Sequence, residues 1–180
     1  MISCERVESA AELKLSGLWQ IYEDAFPREE RRSWEQHCRA MLSEPGFYCM
    51  RLAQNGRSVG VLFYWQLGDF YFLEHLAVRA ADRGLGIGHA ALQWLQTLGK
   101  PIILEIEPPV DDISRRRLTF YRSLGFSEQA QEHVQAAFHA DTAAVPMSLL
   151  SWPTVQSDAT VASFELLLRN VVMKYVDACY

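Results

Sequence analysis

An apolar run that ends in a glycine-rich turn and restarts as a helix is the feature that most constrains this chain. The run is Phe70–Val78, and the turn carries Arg83-Gly84-Leu85-Gly86-Ile87-Gly88. Behind it Ala90, Ala91, Leu92, Leu95 and Leu98 read as a helix. Strand, glycine turn and helix in that order build an anion site. Glycine lets the backbone approach a phosphate closely. The first amides of a helix have no partner inside it and can donate to the anion. The macrodipole adds partial positive charge there, and Arg83 adds a full one. A short glycine turn is also ordinary punctuation between strand and helix, so by itself it decides little.

The second half of the pattern lies downstream. A second strand spans 101–107 and is followed by a polar turn at 108–113. Then comes Arg117-Leu118-Thr119-Phe120-Tyr121-Arg122-Ser123-Leu124-Gly125-Phe126, a helix that closes at Gly125 and gives way to a new strand. Together the two motifs resemble the GNAT superfamily of acyl-CoA-dependent N-acetyltransferases. Arg83, Gly86 and Gly88 match its phosphate loop, and Tyr121, Gly125 and Phe126 match its later signature. The resemblance covers roughly residues 21–152 and keeps the family's order. One departure stands out: many members carry Asn seven residues before the tyrosine, where this chain has Ser114 after a longer turn.

The resemblance implies a site. Acetyl-CoA is the cosubstrate, and no metal is needed. The backbone of Leu76, Ala77 and Val78 faces the acyl and pantetheine groups, and Arg83, Gly84, Leu85, Gly86, Ile87 and Gly88 hold the pyrophosphate. Tyr121 matches the general acid, since a phenol can donate to the departing sulfur. The general base is Glu105, Glu74 or, as in some relatives, only water. Either carboxylate is costly inside an apolar strand unless partnered or functional, and burial raises its pKa towards that of a useful base. Glu105 and Glu107 are two apart and share a face, whereas strand alternation puts His75 on the face opposite Glu74. An amine attacks the thioester directly, and no cysteine sits in either motif. The acceptor is a small-molecule or peptide amine. The rival reading is a catalytically silent acyl-CoA-binding sensor or partner module.

Composition narrows the remaining classes. A chain of 180 residues suits one domain over 1–180, and 49% hydrophobic with 22% charged residues is ordinary for a globular protein. A net charge of −5 argues against nucleic acid, which calls for a basic footprint. Cys4, Cys38, Cys49 and Cys179 lie far apart without a CxxC pair, and His133 and His139 lack ligand-like companions, so neither disulfides nor a metal are expected. Glu5, Glu8 and Glu12 interrupt the N-terminus, and no apolar run approaches the ~20 residues that cross a bilayer, so the expectation is a cytoplasmic protein without a membrane anchor.

Elsewhere the pattern predicts a helix over 13–26, ended by Phe26-Pro27, and a second from Ser33 as N-cap to about Ser43. Strands follow at 47–52 and 58–66 around an Asn55-Gly56 turn, then the run Phe70–Val78, a strand within 126–138 and another at Val145–Trp152. Glu29-Glu30-Arg31-Arg32 reads as a charged helix start, or by resemblance as a wall of the substrate pocket. Arg115, Arg116 and Arg117 either reach a CoA phosphate or form a solvated helix face. The fold class is α+β (mixed α/β): a mostly antiparallel central sheet with a parallel pair at the cofactor site and helices on both faces. An amphipathic helix over 158–178 carries Phe164, Leu167, Leu168, Val171, Val172, Tyr175 and Val176 on one stripe. The stripe packs on its own sheet or forms a homodimer contact.

Overall fold

The computed structural model describes residues 2–176. Its elements, in chain order, begin with β1 (Ile2–Arg6), α1 (Ala10–Leu15), α2 (Leu18–Ala25) and α3 (Trp34–Ser43). Next come β2 (Phe47–Gln54), β3 (Arg57–Leu67), β4 (Phe70–Val78), α4 (Ile87–Gln96) and β5 (Ile102–Ile106). The last are α5 (Asp112–Ser123), β6 (Ser127–Glu128), β7 (His133–Gln135), β8 (Val145–Trp152) and α6 (Asp158–Leu167). One mixed sheet runs β1-β2-β3-β4-β5-β8-β6, with β7 pairing to β8 beside it. All neighbours are antiparallel except β4 and β5. Helices cover both faces. α4 and α5 bury Ile87, Leu92, Leu95 and Leu118 on one side, and α1, α2, α3 and α6 bury Leu13, Trp19, Tyr22, Ala40 and Phe164 on the other.

Several elements follow directly from local chemistry. Asn55 and Gly56 have φ of 52° and 76°, the mirror-image turn whose twist suits a two-residue hairpin between β2 and β3. Ser33 and Gln36 form a reciprocal capping box that starts α3. Gly125, at φ 83°, closes α5.

Other expectations are corrected. The helix predicted over 13–26 is two helices, because Gly17 takes a left-handed φ of 74° and turns the chain between them. Leu15, inside the predicted span, is 87% exposed. The strand predicted within 126–138 shrinks to β6 and β7, since only short pieces reach β8. β1 is an additional edge strand, whose pairing to β2 no turn motif announces. The tail is not one regular α-helix: after α6 it widens into a π-turn at Leu168–Val172 and tightens into a 3-10 turn at Met173–Tyr175. Phe164, Leu168, Val172, Met173, Tyr175 and Val176 are all buried against the chain's own core. Residues 177–178 of the predicted helix, and Cys179, lie outside the described residues.

Candidate active site

The parallel pairing of β4 with β5 stops after Leu73 and Leu104. From there β5 pairs only with β8, through Glu105 and Ile106, while β4 runs on alone to Val78. A wedge therefore opens in the sheet between the two central strands. Arg79 N–H donates to the Val59 carbonyl across β3 at 2.8 Å. By strand alternation the backbone groups of Leu76 and Val78 then face the other way, into the wedge. Arg83 Nε donates to the Val78 carbonyl at 3.1 Å from that open side.

At the end of β4 a 3-10 turn, Ala80–Asp82, leads into the glycine segment. Buried Asp82 is gripped by Arg79 at 2.6 Å and Arg57 at 2.8 Å. The hydrogen bond from Arg79 leads in holding its carboxyl below the usual range. Gly84 and Gly86 have φ of 78° and 75°, and Gly86 caps α4 with no side chain over the first amides. A groove of about 610 Å³ lies on this helix start, lined by Leu76, Val78, Gly84, Gly86, Gly88 and Tyr121 among others. A β-carbon at Gly88 would already touch the Phe120 ring at 3.5 Å.

Tyr121 lies late on α5 and lines both this groove and the cavity of about 350 Å³ inside the wedge. Its ring packs on Phe120 and Phe126, with centroids 5.1 and 5.6 Å away. Burial pushes its pKa up to about 12, so the phenol stays protonated at neutral pH. Ser114, which stands where many relatives of this pattern carry Asn, is buried and spent on the helix start. Its N–H donates to Asp111 Oδ1 at 2.7 Å, and its hydroxyl completes the capping box.

The family model described as "Acetyltransferase (GNAT) family" matches residues 15–126. The chain belongs to the GNAT acetyltransferase family. YjbC of Bacillus subtilis (strain 168), itself assigned as an acetyltransferase only provisionally, is 28% identical over 139 residues, 76% of this chain and 70% of that protein. A GNAT-family structure from Bacteroides thetaiotaomicron superposes with a TM-score of 0.84 at 23% identity, covering 94% of this chain and 98% of that one. Arabidopsis thaliana Naa50, in complex with the bisubstrate analogue CoA-Ac-MVNAL, superposes at 0.59 with 17% identity, over 83% of this chain and 97% of its own. The protein is thus an acyltransferase, of a family whose cosubstrate is acetyl-CoA and whose acceptors are amines.

Within this GNAT fold the candidate carboxylates converge on the far end of the wedge, which Glu74, Glu105 and Arg117 all line. Each carboxylate is committed to a partner. Glu74 Oε1 accepts from Arg32 Nη1 at 2.5 Å, and its Oε2 accepts from the Trp65 indole at 2.8 Å. Glu105 pairs with His133 and accepts from Gln135 Nε2 at 3.0 Å. His133 bridges on to Glu165 of α6. Burial works against a charge on His133, but bonds from Glu105 and then Glu165 prevail and raise its pKa. Glu107 pairs with Arg117 at 2.9 Å, so that arginine serves the wedge; Arg115 instead pairs with exposed Asp112.

Two sequence expectations fail here. His75 does not lie opposite Glu74. In the β3–β4 register Phe63 pairs with His75 and Tyr64 with Leu73, so Glu74 is the extra residue of a bulge. A bulge breaks alternation, and both side chains end on the α2 face, His75 against Tyr22 and Phe26. Nor does Arg32 belong to a charged helix start: it lies ahead of α3, is fully buried and also donates to the Val172 carbonyl at 2.6 Å. Arg32 and His133 are the participants that sequence reasoning missed. Both depend on contacts more than 25 residues away along the chain, which no local pattern encodes. Among the described residues no group of His, Cys, Asp and Glu could hold a metal, and no helix is long and apolar enough to cross a membrane.

Proposed function

We propose that this protein acetylates an amine by direct attack on acetyl-CoA. The observation that carries the reading is the phenol of Tyr121. It stands in both the cofactor groove and the wedge, and among the described residues its hydroxyl has no recorded hydrogen-bond partner. A donor kept free in that position suits a developing thiolate. In this reading the pyrophosphate rests on the turn from Arg83 to Gly88, and the pantetheine arm lies along the open edge of β4. A backbone amide at Leu76 or Val78, with Ala77 between them on the strand, steadies the thioester oxygen.

The acceptor ammonium, with a pKa near 10 in water, must lose a proton first. Glu105 is the better acceptor of the two carboxylates. Arg32 binds Glu74 with a permanent charge, whereas Glu105 Oε2 accepts only from the neutral amide of Gln135 among the described residues, and the ammonium proton passes to that carboxylate. Amine attack then forms the C–N bond, the nitrogen gives its surplus proton to solvent, the tetrahedral centre collapses, the C–S bond breaks, and Tyr121 protonates or hydrogen-bonds the sulfur.

Tyr121→Phe tests this directly. The ring packing survives, so the melting temperature should hold, while turnover should fall by something in the ~10²–10⁴-fold range of general acid catalysis. Unchanged turnover with saturating substrates would remove Tyr121 from the chemistry. Acetyl-CoA binding without turnover of any amine would leave a silent acyl-CoA-binding protein.

A further inference from the structure

Beyond Glu74 and Glu105 the wedge continues into a narrow cavity of about 90 Å³. Glu30, Glu74, Glu105 and Glu107 line it, with Arg117 as the one cation in the lining among the described residues. Three of these carboxylates are matched, by Arg32, His133 and Arg117. Glu30 is not: among the described residues its carboxylate has no recorded hydrogen bond or ion pair. Half-burial, and then the neighbouring charge of Glu107, pushes its pKa up.

A second group in the same lining is also unmatched. His75 is 4% exposed, and its Nε2 lies 2.9 Å from the Glu30 carbonyl. A carbonyl only accepts, so Nε2 carries the hydrogen and Nδ1 holds the lone pair of a neutral ring. Burial leads in keeping the ring neutral. Among the described residues Nδ1 is buried without a hydrogen-bond partner, and Glu74 Oε2, 3.8 Å away, has no hydrogen to give. A buried acceptor without a donor is costly, as is a half-buried carboxylate beside another carboxylate. A cation in the cavity relieves the carboxylates, and the fixed His75 ring holds the wall against which it sits.

The wall is built to keep this arrangement. His75 holds the Glu30 carbonyl, and His139 Nε2 lies 3.0 Å from the carbonyls of Arg28 and Arg31, so the backbone around Glu30 is pinned on both sides. The apolar lining comes from Phe26, Val145 and Met147, which suits methylenes. The cavity is slender, and its charge is concentrated in the carboxylates.

We propose that the acceptor is an aliphatic diamine or polyamine. Its reacting nitrogen lies at Glu74 and Glu105, and its second ammonium is held by Glu30 beside Glu107, against the wall that His75 fixes through the Glu30 carbonyl. This rests on the acetyltransferase reading above and adds the charge of the acceptor to it.

Three four-carbon amines of matched length test it at saturating acetyl-CoA: 1,4-diaminobutane, butylamine and 4-aminobutyrate. The diamine should exceed butylamine in kcat/KM by about tenfold or more, the contribution of one hydrogen bond to a charged group. The amino acid should fall below butylamine. Glu30→Gln should erase the preference for the diamine, with the melting temperature as the check on folding. Equal rates for diamine and monoamine, or a preference that survives Glu30→Gln, would overturn the proposal and leave the acetyltransferase reading standing. If no amine is turned over, that reading falls. Calorimetric titration of 1,4-diaminobutane into the CoA-loaded protein then decides the proposal alone: binding lost in Glu30→Gln supports it, and absent or Glu30-independent binding overturns it.

Discussion

The Arg32–Glu74 pair shows how much one residue here depends on another. Arg32 is fully buried, and its guanidinium faces the rings of Trp65 and Phe138 at 5.3 and 5.5 Å as well as Glu74. Two charges taken out of water contribute little net stability, but one charge left alone there is expensive. Glu74→Gln should therefore cost about 3–5 kcal/mol in denaturant unfolding, far more than a surface carboxylate would. Combining it with Arg32→Met should recover most of that loss; a double variant no more stable than Glu74→Gln would count against the pair as the cause. Tyr121 was legible from sequence because its neighbours are local, with Leu124, Gly125 and Phe126 fixing where the helix ends. Arg32 was not, since in Glu29-Glu30-Arg31-Arg32 nothing separates a buried arginine from a solvated one.

At the scale of elements, two devices shape the site: the bulge in β4 and the bridge made by His133. The bulge turns Glu74 and His75 onto one face, and parallel pairing with β5 ends just before it. His133, on β7, joins Glu105 of β5 to Glu165 of α6. Its folded pKa is raised above the ordinary histidine value, so its contribution is fully present below about 6.5 and is lost as pH rises through the folded-state value. Buried His37 and His75 are shifted the other way, chiefly by desolvation, and lower the stability of the fold on acidification. The difference between the natural protein and His133→Gln isolates the bridge. Unfolding free energies measured across neutral pH should differ most on the acid side and converge on the alkaline side. A constant gap would mean that His133 is not charged in the fold.

The whole molecule is a sheet buried on both faces, and its tail belongs to one of them. Phe164 packs against Phe70 and Phe72, with ring centroids 6.0 and 5.3 Å away, while Val172 supplies the carbonyl that Arg32 needs. The Tyr175 hydroxyl donates to Glu44 at 2.6 Å. Fully burying an apolar side chain contributes about 1.5–3 kcal/mol, so losing the six core residues of this segment removes on the order of 10 kcal/mol. That is comparable to the entire net stability of a small domain. A chain ending at Ser163 should show no cooperative melting transition; a transition near that of the full chain would show that the core closes without the tail.

The sequence by itself determined the strand–glycine–helix turn, the Asn55-Gly56 hairpin, the α3 cap and the Tyr121 helix end. Each is set by dihedral preferences and spacing within a few residues. It also supplied the family, because both motifs are short and contiguous. Tertiary structure decided which face His75 takes, that Arg32 is buried, that His133 serves Glu105, and that Glu30 enters the cavity without a partner among the described residues. Those outcomes depend on register between strands and on partners far along the chain. A one-residue bulge reverses the face of a side chain without changing the letters around it, and the cost of burying a charge is set by whichever partner the fold brings to it.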